Sequence, residues 1–114
     1  MNDVKNIGFI GLGAIGKGIC GNLIRNGYSM TVFDVCRSAM ERFAGRANLA
    51  NEVGEVIRNS ECVFLSLPNS EVVEAIVSGF IAEGVQGKLI IDTSTSYPLS
   101  TRKLYAEIKA SGGA

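Results

Sequence analysis

Hydrophobic and polar positions along the chain follow two alternating periods. Short apolar runs predict strands at Lys5–Ile10, Ser29–Phe33, Ala47–Ala50, Cys62–Leu67 and Lys88–Ile91. Helical spacing predicts helices at Ala14–Asn26, Arg37–Ala44, Glu52–Asn59 and Asn69–Ser78, and a last helix from Pro98 to Ser111. Strands that alternate with helices indicate βαβ units, so we predict an α/β fold with a Rossmann-like, doubly wound parallel sheet.

Some local features of this pattern make finer predictions. Ile15, Ile19 and Leu23 recur at i, i+4 and i+8 and predict the packing face of the first helix. Asn51 is expected to cap the third helix at its N-terminus. Residues Gly79–Gly87 are expected to form one loop-rich insertion after the fourth helix.

Charge and composition narrow the class of protein. Eleven basic and eleven acidic side chains cancel, so nucleic acid is not an expected partner. No apolar run approaches the roughly 20 residues of a membrane-spanning helix. The polar start Met1–Lys5 leads directly into a strand, so we expect a cytoplasmic protein without a signal or transit peptide. Cys20, Cys36 and Cys62 lack C-x-x-C spacing and the chain has no histidine, so reduced thiols and no metal site are expected.

The stretch FIGLGAIGKG, at the end of the first strand, fits two nucleotide-binding patterns. Gly11, Gly13 and Gly16 form the dinucleotide fingerprint G-x-G-x-x-G. Gly11, Gly16 and Lys17 also match the first seven positions of a triphosphate-binding P-loop. A P-loop needs a hydroxyl after its lysine to hold Mg²⁺, and Gly18 stands there instead. The dinucleotide pattern is favoured, and the triphosphate alternative stays open at this point.

Each residue of the dinucleotide pattern has a physical role. Gly11 lets the chain turn sharply, Gly13 lets the backbone approach a pyrophosphate, and Gly16 lets the helix pack close to the sheet. Asp34 follows the second strand, where a carboxylate can hydrogen-bond the ribose hydroxyls of NAD and would repel the 2′-phosphate of NADP. NAD is therefore the expected cofactor, with NADP less favoured. Arg37 could reach a 2′-phosphate or could remain solvated.

Several segments together resemble the β-hydroxyacid dehydrogenases. The matching segments are Gly8–Gly16, Asn22-Leu23, Gly27-Tyr28, Val32–Asp34, Leu67-Pro68 and Asp92–Pro98. The last of them, D-x-S-T-x-x-P, is the most specific and disfavours the related 6-phosphogluconate dehydrogenases. Ile15 and Cys20 stand where the family often has methionine, which keeps both positions apolar.

The resemblance implies a set of site residues. The implied cofactor-binding residues are Gly11, Leu12, Gly13, Ala14, Ile15, Gly16, Asp34, Leu67, Pro68 and Thr95. The carboxylate of the substrate would be held partly by Ser94 and Thr95. These segments end strands at the carboxyl edge of the sheet, where open α/β folds bind ligands. The alternative for residues 93–96 is a polar turn that caps the helix after Pro98.

The resemblance also implies a function. The chain would be the NAD-binding domain of an oxidoreductase that transfers a hydride between a nicotinamide cofactor and a small 3-hydroxy acid or its semialdehyde, of the 3-hydroxyisobutyrate or tartronate semialdehyde type. In the family, a sixth strand and a helical domain follow, and a lysine from that domain is the general acid/base. This chain ends at Ala114, before that strand, and none of its own lysines matches that setting. We therefore expect a truncated chain that binds cofactor without turnover, and a homo-oligomeric parent enzyme. A non-catalytic NAD(H)-sensing or interaction module is the alternative.

Overall fold

The computed structural model describes residues 5–93, 109, 110, 112 and 113 of the chain. The strands are β1 (Asn6–Ile10), β2 (Ser29–Phe33), β3 (Asn48–Leu49), β4 (Cys62–Leu65) and β5 (Leu89–Asp92). The helices are α1 (Ala14–Arg25), α2 (Arg37–Glu41), α3 (Val53–Arg58) and α4 (Ser70–Glu83). Of the predicted last helix, only Lys109 and Ala110 lie among the described helical residues.

The strands form one parallel sheet with the order β3-β2-β1-β4-β5. The central strand β1 pairs with β2 and β4, so that Ile10 lies beside both Phe33 and Leu65. The chain winds from β1 outward to β3 and then crosses back to β4, so the strand order reverses between β1 and β4. The predicted Rossmann-like, doubly wound parallel sheet is confirmed. Ligands of such sheets bind at the carboxyl ends of the strands beside this reversal.

Helices cover both faces of the sheet and form two apolar cores. On one face, Leu65 of β4 belongs to a buried cluster with Phe80 of α4. On the other face, Phe9 of β1 is buried with Cys20 of α1 and Met40 of α2. This packing fixes the start of α1 and the ends of β2 and β4 at the same edge of the sheet.

The fourth helix is longer than the sequence pattern predicts. The predicted end at Ser78 is wrong, because α4 continues to Glu83. The predicted loop over residues 79–87 is confirmed only for the residues that follow the helix. Phe80 is fully buried, so its burial favours a helix that continues past the exposed glycine before it. The helix ends at Gly84, which has a φ of +109°, a left-handed conformation that favours glycine.

The packing face of α1 also differs from the prediction. Ile19 and Leu23 pack against the core as predicted, and Cys20 is fully buried among them. Ile15 does not belong to this face, since 70% of the residue is exposed. It lies in the first turn of α1, at the carboxyl edge of the sheet rather than over it.

The third helix begins differently from the prediction as well. Its N-cap residue is Glu52 and not Asn51, and no side chain caps the helix there. The backbone N–H of Asn51 instead donates to Oε1 of Glu55 at 3.1 Å. Within the part of the chain that the structure describes, no helix is long and apolar enough to cross a membrane.

Candidate functional site

A cavity of about 600 Å³ opens at the carboxyl edge of the sheet, next to the reversal of strand order. Its walls come from the ends of β1, β2 and β4 and from the first turns of α1 and α4. The described residues of the β1–α1 turn that line it include Gly11, Gly13 and Ala14. The cavity therefore lies where the topology of the sheet predicts a ligand site.

Gly11 and Gly16 are required by the packing of the β1–α1 turn. Gly11 has a φ of +98°, and a Cβ atom on it would lie 1.9 Å from the carbonyl oxygen of Ser66. A Cβ atom on Gly16 would lie 2.0 Å from the carbonyl oxygen of Gly11. The sharp turn at Gly11 and the close packing at Gly16 are therefore confirmed as steric roles.

Gly13 lies in a different environment, at the start of α1. A Cβ atom on it would have no neighbour within 4 Å. Gly13 is the N-cap residue of α1, no side chain caps the helix there, and its first turn holds no acidic residue. Helix N-termini carry partial positive charge and N–H donors. The helix start therefore offers these donors to an anionic group in the cavity.

The carboxylate of Asp34 is held by main-chain donors on two sides. The Leu12 N–H donates to Oδ2 at 2.7 Å, and the Cys36 N–H donates to Oδ1 at 2.8 Å. Asp34 is half-buried and lines the cavity. Each carboxylate oxygen has a second lone pair, so the fixed side chain can still accept hydrogen bonds from a ligand hydroxyl.

The structure brings most of the predicted cofactor residues together around the cavity. Those that line it are Gly11, Gly13, Ala14, Ile15, Asp34, Leu67 and Pro68. Leu12 has a buried side chain, and its N–H is bonded to Asp34. Gly16 supports the turn by close packing. The predicted residues Ser94 and Thr95 lie outside the described residues.

Six further wall residues were missed by the sequence reasoning: Ile10, Phe33, Val35, Ser66, Val72 and Ile76. Val35 follows Asp34 and is 95% exposed. Val72 and Ile76 are one turn apart on α4. Val35 has a signal in the sequence, because it directly follows Asp34 at a strand end, whereas Val72 and Ile76 lie within a helix and have none.

The remaining candidate groups lie apart from this cavity. Arg37 is exposed, and its guanidinium lies 4.0 Å from the carboxylate of Glu41. Burial raises the pKa of the Cys20 thiol to about 11, whereas a hydrogen bond with Ser38 lowers the pKa of the exposed Cys36 thiol. Among the described residues, no group of acids and cysteines could hold a metal ion.

A parallel sheet with this glycine turn, uncapped helix start and fixed carboxylate defines a dinucleotide-binding α/β domain. Residues 6–114 match the family model described as the NAD binding domain of 6-phosphogluconate dehydrogenase. The chain is also 36% identical over 110 residues to the mitochondrial 3-hydroxyisobutyrate dehydrogenase of Drosophila melanogaster. This alignment covers 95% of this chain and 34% of that protein. The chain belongs to the β-hydroxyacid dehydrogenase family and is an NAD-binding domain of that family.

Two further relatives agree with this assignment. The NAD-dependent L-serine dehydrogenase of Pseudomonas aeruginosa is 34% identical over 113 residues, with coverage of 96% of this chain and 38% of that protein. The structure of the Mycobacterium tuberculosis 3-hydroxyisobutyrate dehydrogenase with L-serine superposes with a TM-score of 0.90 at 26% identity, over 96% of this chain and 38% of that chain. The chain thus spans little more than a third of the length of these relatives. The predicted family and the predicted NAD cofactor are confirmed, and the triphosphate and sensing alternatives have no support.

Proposed function

We propose that this chain binds NAD(H) in the cavity at the carboxyl edge, with Asp34 on the adenosine ribose and the pyrophosphate at the start of α1. The observation that carries the proposal is the Asp34 carboxylate, which the Leu12 and Cys36 N–H groups hold beside the uncapped helix start. The Asp34 carboxylate can accept hydrogen bonds from ribose hydroxyls, and the N–H groups at the start of α1 can donate to phosphates. The two lie next to each other, as the ribose and the pyrophosphate do in a dinucleotide.

The adenine would lie between Val35 and the α4 residues Val72 and Ile76. These three side chains are apolar and line the cavity. Val35 lies next to Asp34, and the other two lie on α4. An exposed apolar residue such as Val35 gains most from a ligand, because the ligand removes its side chain from water. The nicotinamide half would extend toward Leu67 and Pro68, at the end of β4.

NAD(H) would be preferred over NADP(H). A 2′-phosphate beside the Asp34 carboxylate would place like charges in contact, which costs several kcal/mol. Arg37 gives little compensation, because its guanidinium lies near Glu41 and the residue does not line the cavity among the described residues.

The parent enzyme would transfer a hydride between the nicotinamide and a small 3-hydroxy acid or its semialdehyde. Relatives named for 3-hydroxyisobutyrate and L-serine support this substrate class. Ser94 and Thr95 would partly hold the substrate carboxylate, and Thr95 would also contact the cofactor. A lysine from the part of the relatives that this chain does not match would be the general acid/base, within a helical domain that also assembles a homo-oligomer. The 114-residue chain alone would therefore bind cofactor without useful turnover.

A cytoplasmic location is part of the same proposal. Cys20, Cys36 and Cys62 are all free thiols, which is typical of proteins from reducing compartments.

Calorimetric titration of the chain with NADH, NADPH and Mg²⁺-ATP tests the proposal. We expect NADH to bind most tightly, and Asp34→Ala to weaken it. Glu83→Ala is the matched control, since it also removes an acid but lies at the last residue of α4, away from the described cavity walls. Binding of Mg²⁺-ATP without binding of NADH would overturn the proposal.

A further inference from the structure

Among the described residues that line the cavity, two have polar side chains, Asp34 and Ser66. The other described lining residues are glycines or have apolar side chains. Asp34 has a role in the proposed cofactor site, whereas Ser66 has none so far. A polar group in a largely apolar pocket fixes the orientation of a ligand, so Ser66 is a candidate for a second point of recognition.

The backbone of Ser66 is held firmly against the β1–α1 turn. Its N–H donates to the carbonyl oxygen of Ile10 at 2.9 Å. Its own carbonyl oxygen packs so closely on Gly11 that a Cβ atom there would lie 1.9 Å away. The backbone position of Ser66 relative to the turn is therefore fixed before any ligand arrives.

The hydroxyl of Ser66 makes no hydrogen bond within the part of the chain that the structure describes. The residue is half-buried, and a ligand that bonds to its hydroxyl displaces no described protein partner. A hydroxyl can donate one hydrogen bond and accept others. It therefore complements Asp34, which as a carboxylate only accepts.

The position of Ser66 directly after β4 indicates which part of the ligand it would contact. Asp34 follows β2 and Ser66 follows β4, on the two sides of β1. Neighbouring strands lie about 4.8 Å apart, so these two strand ends are separated by roughly 10 Å. A dinucleotide that begins at Asp34 and crosses the turn with its pyrophosphate brings its second nucleotide to the end of β4.

We propose that the Ser66 hydroxyl donates a hydrogen bond to an oxygen of the nicotinamide-side half of the dinucleotide, either its phosphate or its ribose. This inference rests on the proposed function, because it assumes the same cavity and the same direction of binding. Ser66 would thus recognise a part of the dinucleotide that AMP lacks, whereas Asp34 recognises the adenosine half that both share.

Competition binding to the full chain tests this proposal. NADH is bound to the wild type, to Ser66→Ala and to the control Ser78→Ala, and is then displaced by ADP-ribose, ADP or AMP. Ser78 is exposed on α4 and does not line the cavity in the described structure. Loss of the hydrogen bond predicts that Ser66→Ala weakens the binding of NADH and ADP-ribose. The loss should be about threefold to tenfold if the acceptor is a ribose oxygen, and about tenfold or more if it is a phosphate oxygen. AMP affinity should stay unchanged, and Ser78→Ala should behave as the wild type.

ADP separates the two sources of the acceptor oxygen, because it carries the second phosphate but not the second ribose. A loss for ADP as well as NADH supports the phosphate, and a loss confined to NADH and ADP-ribose supports the ribose. Unchanged NADH affinity in Ser66→Ala, or an equal loss for AMP, would overturn the inference while the proposed function stands. A wild-type chain that does not bind NADH would overturn both.

Discussion

Replacing Gly11 by alanine would force a methyl group against main-chain atoms of the neighbouring strand end. The new Cβ would lie 1.9 Å from the carbonyl oxygen of Ser66, and the residue would keep a φ of +98°. A left-handed conformation costs an L-residue about 1–2 kcal/mol, and overpacking costs about 1–3 kcal/mol more. We therefore expect Gly11→Ala to lower the free energy of unfolding by about 2–5 kcal/mol.

The matched control for this substitution is Gly13→Ala, two residues along the same turn. A Cβ atom there meets nothing within 4 Å, and its φ of −69° suits alanine. Alanine is a poorer N-cap than glycine but loses less chain entropy on folding, so the stability should change by at most about 1 kcal/mol. Its methyl group would instead stand where the pyrophosphate is proposed to approach. NADH affinity should fall by about tenfold or more, a loss of roughly 1.4 kcal/mol.

Urea unfolding followed by circular dichroism separates the two effects. With an m-value of about 2 kcal/mol/M, the midpoint of Gly11→Ala should fall by roughly 1 to 2.5 M, and that of Gly13→Ala should barely move. An unchanged midpoint for Gly11→Ala would refute the steric reasoning. An equal fall in the urea midpoint for both variants would contradict the structure, in which a Cβ atom is blocked at Gly11 and free at Gly13.

Three further predictions concern single side chains. The Ser60 hydroxyl is buried without a hydrogen-bond partner in the described structure, so Ser60→Ala should raise the unfolding free energy by up to about 1 kcal/mol, and a lower urea midpoint would contradict this. The carboxylate of Glu61 accepts hydrogen bonds from the backbone N–H groups at the start of β1, which lower its pKa from the usual 4.5. Its contribution is therefore present above its unfolded pKa and lost as the pH falls through its lower folded pKa. The stability difference between wild type and Glu61→Gln should accordingly shrink on acidification, and a difference that is constant from pH 7 to pH 3 would argue against it. The exposed Cys36 thiol has a lowered pKa, so it should react with a disulfide reagent in the native protein, whereas the buried Cys20 and Cys62 should react only on unfolding. Fast reaction of all three native thiols would be inconsistent with this burial.

The fold and half of the site could be predicted because both depend on local patterns. Alternating strands and helices require only short-range periodicity, and Asp34 is identified by its place after β2. The sequence pattern predicts a helix end at Ser78, before Gly79. A glycine on an exposed helix face costs only about 1 kcal/mol, however, which is less than the burial of Phe80 contributes. Helical spacing also cannot show whether Ile15 faces the core or a cavity. Ile15 lies in the first turn of α1, and that turn extends beyond the sheet.

The missed wall residues required the third dimension. Ser66 and Val72 have no motif of their own, and they reach the cavity because β4 lies beside β1 in the sheet. The pairing of β1 with β4 joins segments that are far apart in the sequence, so no short-range pattern contains it.

The most direct test of the cofactor assignment is the ratio of NADPH to NADH dissociation constants in the wild type and in Asp34→Asn. The substitution keeps the size of the side chain and removes its charge. We predict that the wild type prefers NADH by at least about tenfold, and that the substitution reduces this preference because the repulsion of the 2′-phosphate is lost. A ratio that is the same in both proteins would contradict the placement of Asp34 at the adenosine ribose.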